Sequence, residues 1–433
     1  MRRKRFTIDS QLFSEKRKSR YYSGLQAFFD RYIFSSRRRF FLSVFIPLTL
    51  IYSLTASWDL PQDPDVLTIA VSAWHIGHTG SPVQSGYEQL TRKPYFGPMG
   101  SFVDAPSGVV SQYPPGASLL AAPVYALTSG ELQVHAISNP SEPELSMVDI
   151  PLPPFWQATA VAVITTAAAI GFLALAFMEQ WTPQAAWRAA WIAAFGTSAW
   201  SVAADSLYLH GPTMLWIALG VYLSSQRRYW ASGLAFGAAV LTRPHTAVIP
   251  AAIGLGLGAQ QRRLNPILRI GLASLLGVVA LLAYNLLIFA KISIQAGYSS
   301  AFAENLISVD ATGFLTNLFG GLFDPRQGFL LLSPFLLLLL PGLFFAWKKS
   351  EIWVRAAAIG GLIYLLLQFK MNRYNPGNTT LYRYPLEALT ASAPLWFAAY
   401  RYWLKDAAPI WRRLWPKTVA LAIGIQGIAI LLI

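Results

Sequence analysis

Three carboxylates stand close together in the run Trp58-Asp59-Leu60-Pro61-Gln62-Asp63-Pro64-Asp65, just past a first apolar stretch. An aspartate at a bilayer surface can serve as general base toward a hydroxyl delivered from water, and that use needs no cofactor. The same acids also suit a solvated turn shaped by Pro61 and Pro64. A second polar break, Gln112-Tyr113-Pro114-Pro115-Gly116, opens another apolar stretch. Between two short hydrophobic segments lies Arg243-Pro244-His245. An unpaired charge there is costly unless it faces protein, a water-filled cavity or an anion, and phosphate is the natural anion. Arg243 could hold a phosphate bidentately and offset charge as it leaves, or it could pair structurally with an acid of an outer loop.

Other polar residues have two readings each. Asp63-Pro64-Asp65 matches the Asp-x-Asp of metal-dependent sugar transferases, which would bring Mg²⁺ or Mn²⁺. His210, in Asp205-Ser206-Leu207-Tyr208-Leu209-His210-Gly211-Pro212, could bind a sugar or phosphate, or cap a turn. Asp205 reads as structural. Lys370, Arg373 and Arg383 gather in one segment, where either a function or phospholipid head groups would account for them. Tyr113, Trp74, Tyr298 and Tyr374 suit an aromatic belt at the interface or a stacking surface.

The elements that must position these residues are membrane helices. Apolar residues make up 54% of the 433, and charged residues only 12%, far below the quarter expected of a soluble domain. Net charge is +14, but 12 of the 34 Lys and Arg fall in residues 1–39, which suits a cytoplasmic tail better than nucleic-acid binding. Zero Cys excludes disulfides, thiol catalysis and Cys-ligated metal, and the five His show no zinc-ligand spacing.

Runs near the ~20 apolar residues that cross a bilayer occur at about 40–58, 154–178, 185–207, 268–290 and 328–346. Shorter ones lie at 211–225, 352–369, 385–400 and 418–433. Arg227-Arg228 and Arg262-Arg263 flank 230–258, so this stretch must be two short helices meeting at Arg243-Pro244-His245. The expectation is an all-α polytopic protein of about eleven spans, with a basic tail over 1–39 and a transmembrane domain over 40–433. Its N-terminus is cytoplasmic. Loops assigned alternately place 26 of the 34 Lys and Arg inside and 8 outside, which supports this orientation. The large outer loop, 59–153, then holds two interfacial helices at 66–80 and 116–127, and 131–153 reads as a connecting loop. Segment 21–34 of the tail is partly amphipathic and is expected on anionic lipid or a cytoplasmic partner.

Several segments in order resemble the GT-C superfamily of membrane glycosyltransferases, which contains protein O-mannosyltransferases and the lipid A aminoarabinose transferase. They are Asp65-Val66-Leu67 running through Ala73 to Gly80, then Tyr113-Pro114-Pro115-Gly116, Gly196-Thr197-Ser198 and His210-Gly211-Pro212. Gly237 to Leu241-Thr242-Arg243-Pro244, Tyr284-Asn285 with Gly297-Tyr298, and Asp324-Pro325-Arg326-Gln327-Gly328 leading to Ser333-Pro334 continue the series. The resemblance covers most of residues 40–400. It implies inverting transfer of a sugar from a polyprenyl-phosphate carrier to a lipid, glycan or protein acceptor at the outer face of the cell membrane.

Carried over by position, the base is Asp65, with Asp63 and Asp59 as rivals; Val66 stands where many members place a second acid. Arg243, Arg326 and Arg383 match the cations set against the carrier phosphate, and Tyr113, His210, His245 and Tyr298 complete the expected substrate surface. Arg383 lies in Leu381-Tyr382-Arg383-Tyr384-Pro385, without the Gly usual before that Arg. Two other classes remain open: a transporter or flippase for lipid-linked substrates, marked by charge within its spans, and a non-catalytic carrier-lipid-binding protein. The spans 154–178 and 328–346 carry no ionisable residue, which favours a one-sided enzyme.

Overall fold

The computed structural model describes residues 33–59, 63–91, 101–128, 130–137, 148–298, 304, 306–374 and 381–432. Most of the basic tail, including nearly all of 21–34, lies outside them. Helix α1 (Arg37–Thr55) starts where the Ser36 side chain caps the Arg39 N–H. The segment after α1 supplies α2 (Pro64–Thr79) and α3 (Gly116–Leu127), helices close to the stretches expected at 66–80 and 116–127. Pro64 at the first position of α2 and Gly80 at its end, with φ of 72°, are the residue types those two places favour.

A series of helices follows: α4 (Trp156–Met178), α5 (Pro183–Phe195), α6 (His210–Ser225), α7 (Tyr229–Thr242), α8 (Val248–Gln261) and α9 (Asn265–Phe289). Then come α10 (Ala311–Phe323), the single turn α11 (Phe329–Leu332), α12 (Phe335–Lys349), α13 (Ile352–Met371), α14 (Leu386–Tyr402) and α15 (Pro409–Leu432). Five of these, α1, α4, α9, α13 and α15, are long and apolar enough to cross a membrane. This is a multi-pass membrane protein. The 230–258 stretch divides into α7 and α8 around a 3₁₀ turn at Pro244–Ala247, because Pro244 cannot donate a helical hydrogen bond.

Three expectations need adjustment. The 185–207 span is shorter: α5 stops at Phe195 and the chain passes through one π turn, Ala199–Ala203, before α6. The 328–346 span is broken between α11 and α12 at Ser333-Pro334. The fold is also not purely helical. A hairpin joins β1 (Phe102–Ala105) to β2 (Gly108–Ser111), and a second joins β3 (Gln133–Ile137) to β4 (Val148–Leu152), where a plain loop was expected.

Three close approaches bring the segments around the site together. A Cβ on Gly116 would lie 2.4 Å from Thr242 Oγ1, so the start of α3 sits directly on the end of α7, next to Arg243. A Cβ on Gly297 would lie 2.3 Å from the Gln112 carbonyl, which brings Tyr298 within 6.0 Å of Tyr113, ring to ring. On the far side, the Tyr382 hydroxyl meets Ser333 Oγ at 2.6 Å and accepts the Ser198 N–H at 3.2 Å, while Ser333 Oγ donates to the Gly196 carbonyl. The Gly-Thr-Ser and Ser-Pro segments therefore converge on one tyrosine, and that tyrosine fixes the residue after it, Arg383.

Candidate active site

Asp63 and Asp65 hold opposite roles at the start of α2. Asp63 caps the helix, its Oδ1 accepting the Asp65 N–H at 2.8 Å, and its Oδ2 accepts the Tyr208 hydroxyl at 3.1 Å. Asp65 turns the other way: its Oδ1 accepts Ser101 Oγ–H at 3.2 Å and the Tyr113 hydroxyl. Arg383 Nη1 stands between them, 3.3 Å from Asp63 Oδ2 and 3.1 Å from Asp65 Oδ2. The side chain of Arg383 is 9% exposed, that of Asp63 20% and that of Asp65 26%, so Asp65 is the more accessible carboxylate.

Burial, and after it the Asp65 charge, pushes the Asp63 carboxyl above the usual aspartate range, against the pull of Arg383. Burial and then Asp65 push the Tyr113 hydroxyl well above its ordinary value, and burial followed by Asp63 does the same to Tyr208. Both phenols thus stay protonated and keep donating to the carboxylates.

A second ionic cluster lies deeper. Glu387 in α14 is fully buried; its Oε1 is 3.0 Å from Arg243 Nη1 and 2.8 Å from His210 Nδ1. The ring of Tyr384 joins the two clusters, with Arg243 at 5.9 Å and Arg383 at 5.6 Å from its centroid. Within the described residues, Arg243 Nε, Arg383 Nε and Glu387 Oε2 have no hydrogen-bond partner although buried.

The structure brings together Asp63, Asp65, Tyr113, Tyr298 and Arg383, with Arg243 and His210 one layer below. His245 stacks on Tyr364 at 5.1 Å and hydrogen-bonds Gln368. Asp59 is exposed outside the cluster, and Arg326 is exposed on the turn after α10, its backbone N–H given to Asp324. No described contact joins either of them to the site. Trp74 donates to the Gly130 carbonyl at 3.1 Å within the outer loop, and Asp205 accepts both donors of Ser57, as a structural acid would.

Sequence reasoning missed Glu387, Ser101, Tyr208 and Tyr384. Only Glu387 carried a signal, as an acid inside the apolar 385–400 stretch. The described residues hold no group of three His, Cys, Asp or Glu able to bind a metal, and Arg383 stands against both aspartates where a cation would sit. The pair does not fit a divalent ion.

The helical bundle that gathers these carboxylates and guanidinium groups has a fold also found among solved structures. The chain superposes on ArnT from Cupriavidus metallidurans bound to undecaprenyl phosphate with a TM-score of 0.51, at 18% identity, over 87% of this chain and 62% of that one. The same ArnT in the apo state matches over 88% of this chain and 62% of its own, with a TM-score of 0.49 and 18% identity. The chain thus spans less than two thirds of the length of the ArnT chain that it matches. No family model matches the sequence, and no similarity to a curated protein is found.

Proposed function

We propose that this protein is a glycosyltransferase that moves a sugar from a polyprenyl-phosphate carrier to an acceptor hydroxyl at the extracytoplasmic membrane face. The observation that carries the proposal is the pairing of an accessible carboxylate, Asp65, with a buried guanidinium, Arg383, whose Nε is unpartnered. In this reading α1, α4 to α9 and α12 to α15 make eleven spans, and the charge distribution of the loops supports a cytoplasmic N-terminus. An ArnT of similar fold binds undecaprenyl phosphate, which supports a carrier lipid here too.

Asp65 takes the proton of the acceptor hydroxyl as its oxygen attacks the anomeric carbon. The bond from that carbon to the carrier phosphate breaks, and polyprenyl phosphate leaves with the electron pair, so the configuration inverts. Arg383, and Arg243 behind it, offset the charge that grows on the phosphate. Asp63 fixes the entry of α2 and the placement of Arg383. Tyr113 and Ser101 hold the Asp65 carboxylate in one orientation. Ionised groups gathered at helix ends, instead of along a path through the bilayer, support an enzyme over a transporter.

The test is transfer of radiolabelled sugar from synthetic polyprenyl-phosphate donors to membrane extracts by purified protein, wild type against Asp65→Asn. Donor consumption that needs Asp65 supports the proposal. Full consumption by the variant overturns the assignment of the base.

A further inference from the structure

A cavity of about 430 Å³ lies between α4, α5, α12 and α14. Its walls are Leu173, Phe177, Ile192, Leu339, Ala393 and Phe397, among others, and it follows α14 from Leu386 to Tyr400. At 1.5 Å rise per residue that is about 21 Å, two thirds of a bilayer core of about 30 Å. An apolar groove of that length suits an extended acyl chain.

One end of this channel is polar and basic. Gln184 and exposed Arg188 line it beside Trp181. Arg401 lies 5.7 Å and Lys405 5.2 Å from the Trp181 ring, so three cations from two helices and the turn after α14 surround one mouth. Asp406, next to Lys405 in the chain, forms no ion pair with them among the described residues. A tryptophan flanked by basic side chains at the end of a helix is the usual arrangement at a head-group layer. We infer that this cavity is a binding site for an anionic phospholipid, with one acyl chain in the channel and the phosphate against Arg188, Arg401 and Lys405. Asp63, Asp65 and Arg383 are not among its walls, and the inference does not depend on the glycosyltransferase reading.

Native mass spectrometry of the whole protein in detergent tests this, with dipalmitoyl phosphatidylglycerol and dipalmitoyl phosphatidylcholine as probes. One phosphatidylglycerol should bind tightly, and phosphatidylcholine weakly. Each cation removed from Arg188→Gln and Lys405→Gln should weaken the glycerol lipid about fivefold, as expected for one basic residue near a lipid phosphate. Ala193→Phe, which fills the channel, should abolish the bound lipid; if that variant misfolds, the two exposed charge variants still decide. Equal binding of both lipids, charge variants that bind as wild type does, or displacement of the glycerol lipid by polyprenyl phosphate would each overturn the assignment.

Discussion

Glu387→Leu is the most informative single perturbation of the ionic core. The wild-type carboxylate is 0% exposed and neutralises Arg243, itself 8% exposed, at 3.0 Å. Taking the acid away leaves a guanidinium buried without its counter-charge, and breaking a buried pair in this way costs about 3–5 kcal/mol. Because 1.4 kcal/mol is a factor of ten, the folded population relative to unfolded should fall by about two to three and a half orders of magnitude. The double variant Glu387→Leu, Arg243→Met removes both charges and fills the same space with apolar groups. Exchange of a buried pair for hydrophobic side chains is neutral or stabilising by about 1–4 kcal/mol, so the double variant should be at least as stable as wild type. An equilibrium unfolding titration in detergent, followed by the fluorescence of the 15 tryptophans, gives all three corners of the cycle and wild type. If Glu387→Leu costs under about 1 kcal/mol, or if the two substitutions add, then Glu387 does not hold Arg243 in a dry site and the reasoning fails. Transfer by the double variant separates stability from chemistry. A stable protein with lost transfer would assign Arg243 to the carrier phosphate.

Further outcomes follow from the same contacts. Asp65→Asn should lower the transfer rate about 10²–10⁴-fold at unchanged stability, read by radiolabelled product. Arg383→Gln removes the cation that lowers the Asp63 pKa, so this carboxyl should titrate at higher pH, read by its infrared absorption; an unmoved titration would refute the bridge. Asp63 has a folded pKa above its unfolded one, so the folded state binds more protons and stability falls as pH rises through that window. Asp63→Asn keeps the helix cap and should flatten this dependence in thermal melts at pH values just above the ordinary aspartate range. Gly277→Val should destabilise by at least about 1–3 kcal/mol, since a Cβ there would lie 2.0 Å from the Gly237 carbonyl where α7 crosses α9.

How much was legible in advance follows the range of the signal. Helix α3 was visible to the residue, because Pro115-Gly116 and an apolar run of one interfacial length are local facts. The split into α7 and α8 was readable from two Arg pairs that must face the same side. Asp63, Asp65 and Arg383 were each in view, but not their bridge, since residues 320 apart in sequence meet only through packing. Tyr382 explains that packing: it draws in Ser198 and Ser333 from two other helix ends, and a tyrosine in an apolar context carries no mark of such a role. The hairpins were hidden for a different reason. Strand pairing in a short polar loop depends on its partner strand more than on its own composition.

The two ionic layers constrain how an anion enters. Arg383 is shared by two aspartates, and Arg243 by Glu387 and His210, so neither cation is free in the resting site. The layers differ in depth, however. Arg383 faces carboxylates that are 20% and 26% exposed and can be rehydrated as they release it, whereas Glu387 has no access to water. An arriving phosphate can therefore take over Arg383 at modest cost but cannot displace Glu387 from Arg243 without burying a bare carboxylate. Under the proposed function, Arg383 would make the direct contact, and Arg243 would act on the phosphate through its unpartnered Nε and through the Tyr384 ring while still bound to Glu387. On this ordering Arg383→Gln should raise KM for donor more than Arg243→Gln does, once each variant is shown to be folded. The reverse ranking would place the phosphate in the deeper layer.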